Sequence, residues 1–312
     1  MSGETPDLRE KGLPPAMMVI EVVALSLEAP RRLPPWLKVP APGGAEYARV
    51  REVLRDSGLH TVCEEAGCPN IGECFRAGAA TFLILGDVCT RSCRFCAVKT
   101  GRPAPVNPDE ARRVAEAIAS LGLRHAVVTA VTRDDLPDGG ASVFAEVVRQ
   151  VRRLSPGTTV ELLIPDLKGD WQALAAIMET RPDVLNHNVE TVPRLYRRVR
   201  PQAVYERSLA VLRQAKKSWS DAITKSGLMV GLGEEREELR AVMADLRAVD
   251  CDALTLGQYL RPNPQHLPVA RFYPPEEFAE MAKEARSLGF RHVESGPLVR
   301  SSYRAARLAA GS

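Results

Sequence analysis

The sequence has 312 residues, of which 45% are hydrophobic and 26% charged, so it can bury a real core and is not disordered. Forty-two basic and 39 acidic residues leave a net charge of +3, which does not indicate a nucleic acid partner. No apolar run approaches the ~18 residues of a membrane span. The apolar stretch 17–25 contains Glu21 and follows a flank of mixed charge, which fits neither a secretory signal nor a transit peptide. We therefore expect an uncleaved, cytoplasmic protein without a membrane partner.

In chain order, residues 1–42 form a predicted N-terminal extension. Its last part, 30–42, contains five prolines and should be an extended strap rather than a helix. A short amphipathic helix is predicted over 46–58. Residues 59–78 should be a mostly irregular, metal-holding segment, and we therefore group 43–80 as one cluster-binding unit.

From position 81 onward, apolar strands alternate with amphipathic helices. Such alternation implies βαβ units and a parallel sheet. Six strand–helix units fall short of the eight of a closed barrel. We predict an α/β fold, a partial (βα)6 TIM-like barrel over 81–290, with a C-terminal tail over 291–312. The predicted strands are 81–85, 125–131, 159–164, 184–189, 226–230 and 253–256, and the predicted helices are 109–121, 142–154, 171–180, 205–217, 235–249 and 275–288.

Six of the seven cysteines lie between positions 63 and 96, in two triplets. The first triplet, Cys63, Cys68 and Cys74, has the spacing C-x4-C-x5-C. The second reads Cys89-Thr-Arg-Ser-Cys93-Arg-Phe-Cys96, with the spacing C-x3-C-x2-C. Thiolates are soft ligands that select zinc, copper(I) or iron–sulfur clusters, and a group of them suits a reducing compartment. A disulfide framework or a zinc site is the alternative, with His60 as a fourth zinc ligand beside the first triplet.

The second spacing is the more specific of the two. It is not that of a zinc ribbon, whereas three thiolates can hold three corners of a cubane cluster that four usually hold. The motif resembles that of the radical S-adenosylmethionine (SAM) superfamily, C-x3-C-x-aromatic-C, with Phe95 as the aromatic. The resemblance implies that Cys89, Cys93 and Cys96 bind a 4Fe-4S cluster, which chelates SAM at its open iron and cleaves it to a carbon radical.

Both triplets together closely resemble the lipoyl synthase family, and so does the tail segment Gly296-Pro-Leu-Val-Arg-Ser-Ser-Tyr303. In that family one serine of the Arg-Ser-Ser-Tyr motif completes an auxiliary cluster. The resemblance therefore implies a second 4Fe-4S cluster on the first triplet and Ser302, with Ser301 as the near competitor. Without the cysteines, a hydrogen-bonded turn would be the expected role of this tail. The resemblance extends from about position 34 to position 303.

Polar residues follow several of the predicted strands, where the chemistry of such barrels lies. Gly227-Leu-Met-Val-Gly231-Leu-Gly-Glu matches the G-x-I-x-G-x-x-E strand that lies beside the adenine in radical SAM enzymes. A tight strand–helix turn is the alternative for these glycines. Asn188 and Glu190 have the chemistry to bind the ribose or the methionine amino group, and Asp134 could anchor the zwitterionic end of SAM. A solvated charge or a helix cap is the alternative for each of these three.

Two further features do not depend on the cysteine triplets. His187 and Cys251 are interpreted as core residues, a satisfied histidine and a small hydrophobe. The basic stretch Pro193-Arg-Leu-Tyr-Arg-Arg-Val-Arg200 is normally a solvated face, and it is our candidate docking surface for an acidic carrier domain. Departures from the family pattern are Gly67 for a basic residue, Thr132 for an acid and Leu167 for an aromatic.

The resemblance implies radical insertion of two sulfur atoms, at carbons 6 and 8, into a protein-bound octanoyl-lysine, with the auxiliary cluster as the sulfur donor. It also implies three kinds of partner: an octanoylated carrier domain (an E2 subunit or the glycine-cleavage H protein), an electron donor such as flavodoxin or ferredoxin, and an iron–sulfur cluster carrier. A biotin-synthase-like or methylthio-transferring enzyme is a second hypothesis. A zinc-stabilised barrel that only binds a partner is a third.

Overall fold

The computed structural model describes residues 33–77 and 79–309. The apolar stretch 17–25 and the first proline of the strap, Pro30, lie outside this part of the chain. Within it, the strands are β1 His60–Thr61, β2 Thr81–Ile84, β3 Val88–Cys89, β4 Lys99–Thr100, β5 His125–Ala130, β6 Thr159–Leu163, β7 Val184–Asn186, β8 Ile223–Val230, β9 Ala253–Gln258 and β10 His292–Gly296. The α-helices are α1 Ala45–Asp56, α2 Val62–Glu65, α3 Ile71–Arg76, α4 Glu110–Leu121, α5 Ala141–Leu154, α6 Trp171–Met178, α7 Tyr196–Val199, α8 Tyr205–Ser218, α9 Arg236–Ala248, α10 Pro275–Ser287 and α11 Ala305–Ala309.

The main sheet has eight strands in the order β1-β2-β5-β6-β7-β8-β9-β10. Only β1 runs antiparallel to its neighbour, and the other ladders are parallel. Strands β3 and β4 form a separate two-stranded sheet. Strands β2, β5, β6, β7, β8 and β9 follow one another in space as they do in sequence, with a helix in each crossover, so the six predicted strand–helix units and the partial barrel are confirmed. Among the described strands no ladder joins β10 back to β1 or β2. The sheet is therefore open.

The helices cover the sheet because their apolar residues recur at helical spacing. In α5, Phe144, Val147, Val148 and Val151 are all buried, which places one apolar stripe against the strands. The strands themselves are buried along most of their length, as β9 is at every residue. Parallel strands that are covered on both faces read as continuous apolar runs, which is why the sequence predicted them.

Two predictions about the ends of the barrel were wrong. Residues 59–78 are not mostly irregular, because α2 and α3 carry two of the cysteines of the first triplet. Thr61 caps α2 by accepting a hydrogen bond from the Glu64 amide at 3.3 Å, and the pattern Thr-x-x-Glu is a known signature of a helix start. The segment that we treated as a tail begins with β10, which pairs with β9 from His292 to Gly296. The tail after β10 is therefore anchored to the sheet.

A cluster of four buried polar side chains lies inside the barrel, with one side chain from each of four adjacent strands. Lys225 contacts both carboxylate oxygens of Glu161 at 2.9 and 3.1 Å, and Asn186 donates to the same carboxylate at 3.1 Å. Nε2 of His125 lies 3.7 Å from it. Burial alone would raise the pKa of Glu161, but Lys225 and His125 hold that pKa below its ordinary value. The contacts with Lys225 and His125 thus favour the ionised form of Glu161 in the folded protein.

The candidate double-cluster site

One cavity of about 520 Å³ lies at the carboxyl ends of the parallel strands. Five of the six triplet cysteines line it, together with strand ends and the C-terminal tail. Its volume is in the range of sites that hold a small-molecule cofactor. The lining cysteines are Cys63, Cys68, Cys89, Cys93 and Cys96.

The second triplet lies on the loop that follows β2. Leu85 turns the chain with φ of +67°, its amide donates to Glu110 at 2.8 Å, and its carbonyl accepts from Arg133 at 3.2 Å. The Cys89 sulfur accepts from the amide of Thr132 at 3.3 Å, which ties the loop to the end of β5. Phe95, the predicted aromatic, is half-buried and lines the cavity. The turn at Leu85 therefore places the loop so that its three cysteines line the cavity.

The thiols of the second triplet are close enough to affect one another electrostatically. Burial is the main cause that raises the pKa of Cys93 to about 11 and that of Cys96 to about 12, and the charge of Cys89 contributes to both values. Such thiols are deprotonated when a metal coordinates them. A buried set of three soft donors fits a cluster held at three corners.

The first triplet forms a second group of thiols, and two of its members line the same cavity. Cys63 lies in α2, Cys74 in α3, and Cys68 in the turn between them, where its amide donates to the Cys63 carbonyl at 3.0 Å. Burial raises the pKa of Cys63 to about 11 and that of Cys74 to about 12, and the charges of the other cysteines of this triplet add to the effect. Cys74 is the member of this triplet that does not line the cavity.

The two serines of the C-terminal tail, Ser301 and Ser302, form hydrogen bonds with different residues. The Ser302 hydroxyl accepts a hydrogen bond from Thr81 at 2.8 Å, and Thr81 also hydrogen-bonds the Cys63 thiol and so lowers its pKa. The Ser301 hydroxyl instead accepts from Asn188 at 2.5 Å. Ser302 is therefore the serine beside the first triplet, while Ser301 faces the strand ends. This placement favours Ser302 over Ser301 as the candidate ligand.

Further contacts hold the tail against the first triplet. Asn70 donates to the Leu298 carbonyl at 2.6 Å, and the Tyr303 hydroxyl donates to Glu73 at 3.0 Å. Burial lowers the pKa of Arg300, and the neighbouring Cys68 opposes this shift. A cation thus lies next to the thiols, where a thiolate or an anionic cluster would carry negative charge.

Asn188 and Glu190 lie on the cavity wall beside β8. Glu190 has φ of +65°, donates its amide to the Gly227 carbonyl at 2.9 Å and accepts from the Met229 amide at 2.8 Å. A Cβ added at Gly227 would lie 2.8 Å from the side-chain oxygen of Asn188, so only glycine permits this close approach. Burial raises the pKa of Glu190, and Arg200 opposes the shift. The predicted cofactor-binding residues Asn188 and Glu190 are thus brought to the thiols.

Two other predicted cofactor contacts are not on the cavity wall. Asp134 is held by Arg91, which donates to its two oxygens at 2.7 and 2.9 Å. Gly231 lies behind the cavity, where an added Cβ would be 2.2 Å from the Gln258 amide nitrogen. Neither residue is among those that line the space between the triplets.

The sequence analysis missed the roles of two basic residues and misplaced a third. Arg91 and Arg300 line the cavity, although the sequence analysis assigned no role to either of them. Arg200 was assigned to an exposed basic face, but it is buried and donates to the Asn188 carbonyl at 2.8 Å. One sequence signal could have identified all three residues. Each is a basic residue that lies next to a cysteine or a strand end, where a bound group would carry negative charge.

His187 is buried as predicted but is only half satisfied. Its Nδ1 lies 2.8 Å from the Ile164 carbonyl, and no partner for its Nε2 is found in the described part of the chain. Burial, followed by the charge of Arg200, lowers the pKa of His187 to about 4. Cys251 is fully buried away from the cavity, as expected for a small hydrophobe.

The described residues contain neither a site for a single metal ion nor a helix that could span a membrane. No three Cys, His, Asp or Glu side chains converge there on a point that would suit a single metal ion. A cubane binds each thiolate through a different iron, so its ligands do not need to converge on one point. No helix in 33–77 or 79–309 is long and apolar enough to cross a membrane.

Comparisons with known families agree with the geometry. The radical SAM superfamily matches residues 83–246, and the N-terminal domain of lipoyl synthase of the radical SAM family matches residues 19–68. A lipoyl synthase of Rubrobacter xylanophilus is 59% identical over 272 residues, which cover 87% of this chain and 85% of that protein. A lipoyl synthase of Chloroflexus aggregans is 53% identical over 287 residues, covering 92% of this chain and 94% of that protein.

Among solved structures, HydG, a maturase of the FeFe hydrogenase, aligns with a TM-score of 0.53 and 14% identity, over 85% of this chain and 74% of that one. SuiB of Streptococcus suis bound to S-adenosylmethionine aligns with a TM-score of 0.53 and 7% identity, over 70% of this chain and 50% of that one. At such identities the likeness concerns the fold alone. The identities to the curated relatives carry the conclusion that this chain belongs to the lipoyl synthase family of the radical SAM superfamily.

Proposed function

We propose that this chain inserts two sulfur atoms, at carbons 6 and 8, into an octanoyl group attached to a lysine of a carrier domain. As a member of its family, the chain is a radical SAM sulfurtransferase. The observation that supports the proposal most directly is the shared cavity, because five of the six triplet cysteines and Ser302 line the same space of about 520 Å³. A reaction that needs two metal centres and one alkyl chain requires such a space.

In this proposal Cys89, Cys93 and Cys96 hold one 4Fe-4S cluster, and Cys63, Cys68, Cys74 and Ser302 hold the other. When bound, the clusters and S-adenosylmethionine supply the electron, the carbon radical and the sulfur. The rest is the work of the chain itself. A hydroxyl is a harder ligand than a thiolate, so Ser302 makes one corner of the second site easier to release, and Thr81 holds that hydroxyl in place at 2.8 Å.

The cavity wall provides both polar and apolar surface for the ligands. Asn188 and Glu190 offer an amide and a carboxylate for the polar parts of SAM, and Arg200 holds the backbone of Asn188. An octanoyl chain needs an apolar lining, which excludes water and reactions with it. Side chains that provide such a lining are Leu83, Val131, Leu163, Ile164 and Leu228.

The proposal includes partners that the chain must meet. In this proposal the octanoyl-lysine belongs to a carrier domain, either an E2 subunit or the glycine-cleavage H protein. An electron donor such as flavodoxin or ferredoxin and an iron–sulfur cluster carrier complete the cycle. Arg197 and Arg198 are exposed and remain our candidates for docking an acidic carrier, without Arg200. Thiol ligands in this number suit the cytoplasm.

The test is an anaerobic reconstitution followed by counts of iron, sulfide and zinc. We expect about eight irons and about eight sulfides per chain, and 5′-deoxyadenosine on addition of SAM and reductant. With an octanoylated carrier domain, mass spectrometry should show a gain of two sulfur atoms. A count of about four irons, or zinc without sulfide, would refute the proposal. Cys251→Ala is the matched cysteine control, because Cys251 lies in the core away from the cavity.

A further inference from the structure

We propose that Arg91 is a positioning residue that clamps the loop of the second cysteine triplet to the ends of two barrel strands. The inference rests on the proposed function, because it concerns the loop that would hold the radical cluster. Arg91 lies between Cys89 and Cys93, so its backbone is part of the ligand loop itself. Its amide donates to the Cys89 sulfur at 3.4 Å.

The side chain of Arg91 reaches two carboxylates at once. Its Nε donates to Asp134 at 2.7 Å, and its Nη2 donates to the second oxygen of Asp134 at 2.9 Å and to Asp166 at 2.6 Å. The side chains of Arg91 and Asp166 are 5% and 0% exposed, so this ion pair is shielded from water, whereas the side chain of Asp134 is 23% exposed. Two parallel hydrogen bonds to one carboxylate fix the orientation of a guanidinium as well as its position.

The two carboxylates come from neighbouring strands. Asp134 follows β5 and Asp166 follows β6, and Asp166 also accepts from Arg207 of α8 at 3.2 Å. Burial opposes ionisation of Asp166, but the contact with Arg91 outweighs it and lowers the pKa to about 2. Arg91 therefore joins the ligand loop to the ends of two strands, and Arg207 links one of these ends to α8.

The backbone of the loop is tied to the same place. The Thr90 amide and hydroxyl donate to the Thr132 carbonyl at 3.0 and 2.9 Å. The Asp134 amide donates to the Thr90 hydroxyl at 3.0 Å. These bonds hold the loop to the end of β5, and Arg91 extends the attachment to β6. Together they set the position of the three thiols relative to the cavity wall.

The geometry also changes the role of Asp134. The sequence analysis assigned this carboxylate to the zwitterionic end of SAM, but Arg91 occupies both of its oxygens. A buried ion pair of this kind contributes little net stability, because desolvation of the charges offsets their attraction. Its location inside a ligand loop points to the placement of that loop as its use.

The test compares Arg91→Lys with Arg112→Lys. Lysine keeps the charge but loses the two-point contact. Arg112 also contacts both oxygens of one carboxylate, because its Nη1 donates to Glu116 at 2.7 and 2.9 Å on the exposed face of α4. Arg91→Met is avoided as the main variant, because it would leave the carboxylate of Asp166 buried without its cation and could prevent folding.

Both substitutions are made in a Cys68→Ala chain, in which the second triplet is the intact one. Iron loss to a chelator and the electron paramagnetic resonance spectrum of the reduced cluster, with and without SAM, are measured after anaerobic loading. We expect Arg91→Lys to lose iron about tenfold faster and to show a smaller spectral response to SAM. Arg112→Lys should match the parent chain in both measurements.

The reciprocal background is Cys93→Ala, in which the first triplet is intact. There Arg91→Lys should leave the rate of iron loss unchanged. Equal acceleration in both backgrounds would indicate a general loss of stability and would overturn the positioning role. Unchanged iron loss and an unchanged spectrum in the Cys68→Ala background would overturn it as well. If the Cys68→Ala parent binds no cluster at all, the proposed function itself fails, and the inference fails with it.

Discussion

Replacement of Gly257 by alanine should weaken the proposed auxiliary cluster through the tail. Gly257 lies in β9, and a Cβ at this position would be 2.1 Å from the Val299 carbonyl oxygen. That oxygen must move by about 1.2 Å to reach the ~3.3 Å at which carbon and carbonyl oxygen ordinarily meet. The obstacle is backbone, so a side-chain rotation cannot relieve it. The displaced segment carries Arg300, Ser301 and Ser302.

The Gly257→Ala substitution costs free energy because it overpacks a buried site. Gly257 is buried, and insertion of a methyl group into a packed site costs about 1–3 kcal/mol. If the tail absorbs this strain, its docking equilibrium weakens by about 5- to 150-fold. Ser302 would then leave Thr81, and Arg300 would leave Cys68. We therefore expect faster loss of iron from the first triplet, while the second triplet keeps its iron.

The assay is chelator-driven iron loss from a Cys93→Ala chain, in which the first triplet is intact. Gly157→Ala is the matched control, because a Cβ at Gly157 meets no atom within 4 Å. Gly257→Ala should lose iron at least about fivefold faster than the control. Equal rates for the two variants would show that the tail does not support the first triplet, and the assignment of Ser302 would fail with it.

Three further outcomes are expected. Cys93→Ala should abolish formation of 5′-deoxyadenosine, whereas the core variant Cys251→Ala should retain it; product from Cys93→Ala would remove SAM cleavage from the second triplet. Cys68→Ala should still form 5′-deoxyadenosine but leave the octanoyl group without sulfur, and lipoyl product detected by mass spectrometry would contradict the donor role of the first triplet. Lys225→Met should lower the free energy of unfolding of the cluster-free chain by about 3–5 kcal/mol in urea, because Glu161 is left buried without its cation. The exposed Lys99→Met serves as its control, with an expected change within about 0.5 kcal/mol, and a Lys225→Met cost no greater than that would contradict the account of the pair.

Much of the fold could be predicted from the sequence, for reasons that are visible in single elements. The strands β2, β5 and β9 are covered on both faces and therefore form continuous apolar runs. The helices α4 and α5 carry apolar residues at helical spacing. The short helices α2 and α3 were not predicted, because four to six residues give too little hydrophobic periodicity to recognise a helix. Strand β10 escaped because its residues are only partly buried and include Glu294 and Ser295.

The site was predictable where its chemistry is local in the chain. Each cysteine triplet spans no more than a dozen positions, so the sequence by itself determined how the cysteines are grouped and which family the chain resembles. The partners of Arg91 are 43 and 75 residues away, and Thr81 and Ser302 are 221 residues apart. Only the tertiary structure decided that Asp134 pairs with Arg91, that Arg200 is buried, and that Ser302 rather than Ser301 stands beside Cys63. Ligand spacing is a property of the chain, whereas the pairing of charges across strand ends depends on the order and register of the sheet.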